Sequence, residues 1–187
     1  MKKTITLFVF GMLVSSCSIQ GLTNDYKKLT TEQQSSIVAL SSFDNATDLD
    51  KIYKINGSQL REELKKHPKA LVYVLTNGCT SEYCKPLYVY ENFAKENNYK
   101  LFLVMNGYVN LRVSTDEILN VPLYSIDNEY YDKKIRSTYI HYFQNDMLDR
   151  DLKHKDKEYL GSLFFFENGN LVSISRELPE KQQSFIK

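Results

Sequence analysis

Two cysteines five positions apart stand in the run Thr76-Asn77-Gly78-Cys79-Thr80-Ser81-Glu82-Tyr83-Cys84. The apolar stretch Leu71-Val72-Tyr73-Val74-Leu75 leads into them and an amphipathic stretch leaves from Cys84, the pattern of a strand, a turn and a helix. A thiol at a helix start meets unpaired backbone N–H groups and the positive end of the macrodipole. Both favour the thiolate, the nucleophilic form of cysteine. The alternative is an inert structural disulfide. Spacing constrains both readings. Were both cysteines helical, a rise of ~1.5 Å per residue would part them by ~7.5 Å, beyond the roughly 7 Å Cα limit of a disulfide. Either Cys79 lies in the turn and the bond closes without rearrangement, or the first helical turn unwinds to close it as a redox-linked switch. A bridge across so small a loop stabilises less than a long-range one on the chain-entropy model, which favours redox use.

Other candidates carry less. Glu82 could relay protons, although a carboxylate in a first helical turn also serves the dipole. Lys85 could lower a thiol pKa or simply be solvated. His67, His141 and His154 share no metal-ligand spacing with one another or with the cysteines, so neither a metal nor another cofactor is expected. Asp48/Asp50 and Asp149/Asp151 read as solvated loop charges. Tyr83, Tyr88 and Tyr90 could line a cleft beside the thiols, with helix packing the expected role of Tyr83 and Tyr90. A net charge of +1, with no dense Lys/Arg block beyond the N-terminus, argues against a nucleic-acid partner.

The elements that must hold the cysteines follow from pattern. Thr31 to Leu40 has helical composition, with a capping box from Thr30 to Gln33. Ile52-Tyr53-Lys54-Ile55 alternates like a strand and ends at Asn56-Gly57. Ser58 is the expected cap of a helix bearing Leu60 and Leu64 and stopping near His67-Pro68. A strand over 71–76 precedes the cysteine turn. Tyr83, Leu87, Tyr90 and Ala94 then form one stripe of a helix running from about Cys84 to Asn97. Leu101 to Met105 is a buried parallel strand. Ser114 to Glu117 reads as a capping box opening a short helix, and 121–126 as a strand with Pro122 near its start. Residues 129–147 are expected to be helical, and Asp149 to Glu158 a charged linker. Leu163-Phe164-Phe165-Phe166, Glu167-Asn168-Gly169 and Leu171-Val172-Ser173-Ile174 form a hairpin, and Pro179 opens a terminal helix. The alternation predicts an α/β domain, with a central mixed sheet covered by helices on both faces. An α-β-α insertion precedes the final β-hairpin and C-terminal helix.

Lys2-Lys3, the short apolar run Thr4 to Val14 and Val14-Ser15-Ser16-Cys17 resemble the signal peptide and lipobox of bacterial lipoproteins. That resemblance implies cleavage after residue 16 and a lipid on Cys17, anchoring the protein to a membrane of the cell envelope without a spanning helix. Ser18, where inner-membrane retention would call for Asp, resembles outer-membrane sorting. With Cys17 assigned to lipid, Cys79 and Cys84 are the remaining intramolecular pair in a compartment where disulfides persist. The expected organisation is a signal peptide over 1–16, a lipidated tether with a short helix over 17–48, and one domain over 49–187.

From about residue 50 to 185, this element order, with a cysteine pair at a strand–helix turn, resembles the thioredoxin fold. Thr76-x-Gly78-Cys79-Thr80-x-Glu82-x-Cys84 is similar to the motif of the bacterioferritin-comigratory branch of peroxiredoxins, as Pro122-Leu123-Tyr124-Ser125 is to a second segment of that branch. The resemblance implies a peroxidatic Cys79, a resolving Cys84 and Thr76 as the hydrogen-bonding partner of Cys79. It also implies departures. Val72 occupies the family's proline slot, and Tyr159-Leu160-Gly161-Ser162 lacks the family's arginine, for which Arg136 or Arg150 would have to substitute through space. Compared with thioredoxin itself, four residues rather than two separate the cysteines, no Trp precedes them, and Gly161 occupies the cis-proline slot. The leading expectation is therefore an envelope thiol–disulfide oxidoreductase acting on protein thiols or disulfides, or served by a reductant protein. A thiol peroxidase and a non-catalytic binding lipoprotein with a structural disulfide are the alternatives.

Overall fold

A computed structural model describes residues 20–156, 159 and 161–179. Seven strands form one mixed sheet: β1 (Ile37–Ala39), β2 (Ile52–Ile55), β3 (Lys69–Leu75), β4 (Lys100–Met105), β5 (Leu123–Ile126), β6 (Leu163–Glu167) and β7 (Asn170–Ser175). Their order across the sheet is β1-β2-β5-β4-β3-β6-β7, parallel from β1 through β3 and antiparallel at β6 and β7. Five helices connect them: α1 (Thr31–Ser36), α2 (Gly57–Leu64), α3 (Leu87–Glu96), α4 (Leu111–Thr115) and α5 (Arg136–Met147). The α/β class with a mixed sheet is as the alternation predicts.

Strand periodicity divides the core into two layers. Val72 and Val74 of β3 face one side with Leu60, Leu64 and Phe143 of α2 and α5. Leu71, Tyr73 and Leu75 face the other with Leu87, Tyr90 and Leu111 of α3 and α4. Burial on both faces explains the near-continuous apolar runs of β3 and β4, the sequence signature of central parallel strands. Gly57 permits the contact between α2 and α5, because a Cβ there would collide with the backbone of Phe143 and Met147.

Several local expectations are corrected. The capping box at Thr30 and Gln33 is present, but α1 stops at Ser36 and Ile37–Ala39 becomes an edge strand paired with β2. The described part of the supposed tether over 17–48 is therefore built into the fold. Asn56, not Ser58, caps α2, its side chain accepting from the Gln59 N–H. The helix after the cysteines begins at Leu87, because Pro86 enforces an extended entry, and this leaves Tyr83 outside it and exposed. Ser114 lies inside α4 rather than capping it. Residues 129–132 are turn and 133–135 irregular, and the helix begins only at Arg136. Cys17, the expected signal peptide and the helix expected after Pro179 lie outside the described residues.

Candidate functional site

The cysteine loop leaves the C-terminal end of β3, in the middle of the sheet. Cys79 and Cys84 are joined by a disulfide with a Cα–Cα separation of 6.0 Å. Both are half-buried and both precede α3, so the bond closes without unwinding a helix. That is the first of the two alternatives left by the spacing. The turn is set by Gly78 at φ +64°, where a Cβ would press on the Asn110 side chain, and by Cys79 N–H donating to the Thr76 carbonyl at 3.2 Å.

Polar residues fix this loop from beneath. Asn77, only 3% exposed, donates through Nδ2 to the Gly107 carbonyl at 2.8 Å and accepts through Oδ1 from Ser114 Oγ at 2.7 Å. A buried amide satisfied on both atoms acts as a rigid rivet. On the other side Tyr90, buried in α3, accepts from Lys85 N–H and donates to the Tyr83 carbonyl, both at 3.3 Å. Those two residues flank Cys84. The Tyr90 ring lies against Tyr73 with centroids 4.3 Å apart, and burial pushes the Tyr73 hydroxyl well above the usual phenol range.

Each sequence candidate has a definite place. Thr76 sits at the loop entrance, but its hydroxyl accepts from Asn106 Nδ2 at 2.7 Å while its backbone carbonyl, not its side chain, meets Cys79. Asn106 Oδ1, at the end of β4, is buried without a hydrogen-bond partner among the described residues. Lys85 Nζ donates to the Glu82 carbonyl at 2.9 Å, bracing the loop. Tyr83 and Tyr88 are exposed on either side, whereas Tyr90 is buried beneath. The Asp50 and Lys153 N–H groups bond the Asp48 and Asp151 carboxylates, so these acids organise their own turns. His67 pairs with Glu63 and His141 bonds Asn145, both away from the thiols. Among the described residues no cluster of His, Cys, Asp or Glu is arranged to hold a metal.

A cavity of about 280 Å³ opens beside the disulfide, lined by both cysteines, Tyr73, Thr76, Val113 and Glu117 among others, with no arginine in its wall. The Arg136 guanidinium lies against Gly21 and Arg150 pairs with Asp156 at 3.2 Å, so neither lines the disulfide cavity. Gly161 packs so closely on Ser175 that any Cβ would strike its carbonyl, which accounts for glycine at this position. The first turn of α3 is also occupied: Tyr88 N–H donates to Glu117 Oε2 at 3.2 Å. The anion held at this helix start is therefore a carboxylate, not a cysteine sulfur.

Sequence patterns missed Asn77 and Glu117 as parts of this site; Tyr90 was named beside the thiols, but its hydroxyl clamp on Lys85 and Tyr83 was not. Asn77-Gly78 was legible as a turn, but the riveting role of its amide depends on Gly107 and Ser114, some thirty or more residues away. No family model, curated protein or solved structure matches this chain.

Proposed function

We propose that this chain is an envelope thiol–disulfide oxidoreductase with a thioredoxin-like domain, anchored through lipid on Cys17 and acting through Cys79 and Cys84. One observation carries the reading: a half-exposed disulfide, open to a cavity, stands at the C-terminal end of a central parallel strand and just before a helix. In open α/β sheets that end of the strands is where ligands and chemistry gather. The local order β4-β3-β6-β7, with the cysteine loop between β3 and α3 and an antiparallel hairpin following, supports the thioredoxin-like assignment. β5, inserted between β4 and β2, corresponds to the strand of the expected α-β-α insertion.

The exchange runs as follows. In the reduced protein the Cys79 thiolate attacks one sulfur of a partner disulfide, and the partner's other sulfur leaves as a thiolate that takes up a proton. Cys84, deprotonated in turn, attacks Cys79 sulfur in the mixed disulfide. This re-forms the Cys79–Cys84 bond and releases the second partner thiol. Two electrons and two protons pass to the partner, and the reverse sequence oxidises a partner dithiol. Asn77 and Tyr90 hold the loop so that both sulfurs stay within bonding reach.

Redox titration of the pair tests the reading directly. A midpoint well below about −300 mV would identify a structural staple and overturn it. A higher value, with mixed disulfides accumulating on a Cys84→Ala variant, is the expected outcome. Trapping of sulfenic acid at Cys79 after peroxide treatment, lost in Cys79→Ser, would instead favour peroxidase chemistry.

A further inference from the structure

Residues 20–28 are a docked strut. They lie across the end of the sheet from which the cysteine loop emerges. The Leu22 carbonyl accepts from Arg136 N–H at 2.8 Å and the Asn24 carbonyl from Tyr108 N–H at 2.9 Å. The Asn24 side-chain amide donates to Asn128 Oδ1 at 2.7 Å. Asp25, 5% exposed, folds the segment on itself by accepting from Gly21 N–H and pairing with Lys28, each at 2.7 Å. The Tyr26 ring meets Tyr108 edge-on with centroids 5.9 Å apart. Tyr108 and Asn128 stand just past the C-terminal ends of β4 and β5. Asn106 N–H on the Leu75 carbonyl at 2.9 Å ties the end of β4 to that of β3, where the cysteine loop begins. Strut and disulfide therefore share one edge of the molecule.

The position of the strut has a consequence. Gln20 is three residues beyond Cys17, a span of at most about 11 Å when fully extended. Around the strut, Leu22, Tyr130 and Ile135 are 49%, 56% and 43% exposed, beside exposed Lys27 and Lys134. Apolar groups interleaved with ammonium groups suit a lipid headgroup layer. Glu129 and Asp132 share this rim, with Glu129 bound to Lys54 at 2.9 Å. Charge attraction is therefore partly offset: acyl chains would supply the affinity, and this face the orientation.

We propose that this end of the sheet rests on the bilayer to which Cys17 is joined, held there by the strut. The Cys79–Cys84 disulfide then meets partners whose cysteines lie at the membrane surface. The inference rests on the lipid-anchor reading of Cys17.

The test uses the full-length acylated protein in phosphatidylethanolamine–phosphatidylglycerol vesicles containing a headgroup-nitroxide lipid. An environment-sensitive fluorophore is placed singly at Leu22→Cys, at Ile135→Cys, or at Glu62→Cys. Glu62 lies on α2 near Lys65, which packs on Gly169 of the β6–β7 turn at the opposite edge. Nitroxide quenching at positions 22 and 135 is expected to exceed that at 62 by about threefold or more. Equal quenching at all three positions, or stronger quenching at 62, overturns the orientation. Intact mass separates the two ideas. An acylated Cys17 without positional difference overturns the strut alone, whereas an unmodified Cys17 overturns the anchor and this inference with it.

Discussion

At the scale of single residues, the disulfide is governed by neighbours that are not themselves redox-active. Tyr90 reaches through its hydroxyl to both sides of Cys84, so Tyr90→Phe removes the clamp and keeps the ring. A hydrogen bond of this kind contributes about 1 kcal/mol. Because the clamp exists in the disulfide form, its loss is expected to raise the midpoint potential by roughly 20 mV, since 30 mV corresponds to about 1.4 kcal/mol. Glutathione redox titration of wild type and variant measures this. Glu117 places a carboxylate in the cavity wall and at the first turn of α3, where it opposes a developing thiolate. Glu117→Gln preserves an acceptor for Tyr88 N–H and removes the charge. Alkylation of the reduced pair at pH 7 is expected to speed up by about twofold or more; an unchanged rate would show that Glu117 does not sense the sulfurs.

At the scale of elements, α2 shows how a helix is held at both ends. Its start is satisfied by neighbouring polar groups: Gly57 N–H donates to the Tyr131 hydroxyl at 2.7 Å and Ser58 N–H to Asp146 Oδ2 at 2.9 Å. A carboxylate there also complements the macrodipole. Near its end Glu63, 6% exposed, accepts from Lys66 Nζ at 2.7 Å and meets His67 Nε2 at 3.0 Å. Burial raises the Glu63 pKa, but the bonds from Lys66 and His67 outweigh it and hold the carboxyl below its ordinary value of 4.5. A depressed folded value makes the contribution complete above the unfolded value and lost as pH falls through the lower folded one. Urea melts should therefore show wild type losing stability below about pH 4.5 more steeply than Glu63→Gln. Parallel curves would remove Glu63 from the acid response.

At the scale of the whole molecule, a two-layered core fixes where the cysteine loop can be. Phe143 of α5 is fully buried in the layer shared with α2 and the sheet. Phe143→Ala is expected to cost about 3–5 kcal/mol, a large share of the 5–15 typical of a domain. This layer is on the far face of the sheet from α3. The variant should therefore lower the urea midpoint while leaving the potential of the disulfide within roughly 10 mV of wild type. A large shift in potential would mean that the two layers are coupled.

Local physics was legible in the chain itself. Alternating and continuous apolar runs located β2, β3, β4, β5 and the β6–β7 hairpin. The Thr30–Gln33 capping box located α1, and the Leu60/Leu64 and Leu87/Tyr90/Ala94 spacings located the buried faces of α2 and α3. Such signals survive because each reports contacts within one turn or along one strand. The short elements were decided elsewhere. Ile37–Ala39 became a strand only because β2 offered it a free edge. Ser114 left its expected cap to bond Asn77, and residues 20–28 became a strut by bonding Tyr108, Asn128 and Arg136. Whether Cys79 and Cys84 could bond without unwinding a helix was likewise a tertiary matter. Pro86 delays α3 by a local effect, whereas Asn77 anchors the loop to Gly107 and Ser114, partners distant in sequence whose hydrogen bonds no local pattern encodes.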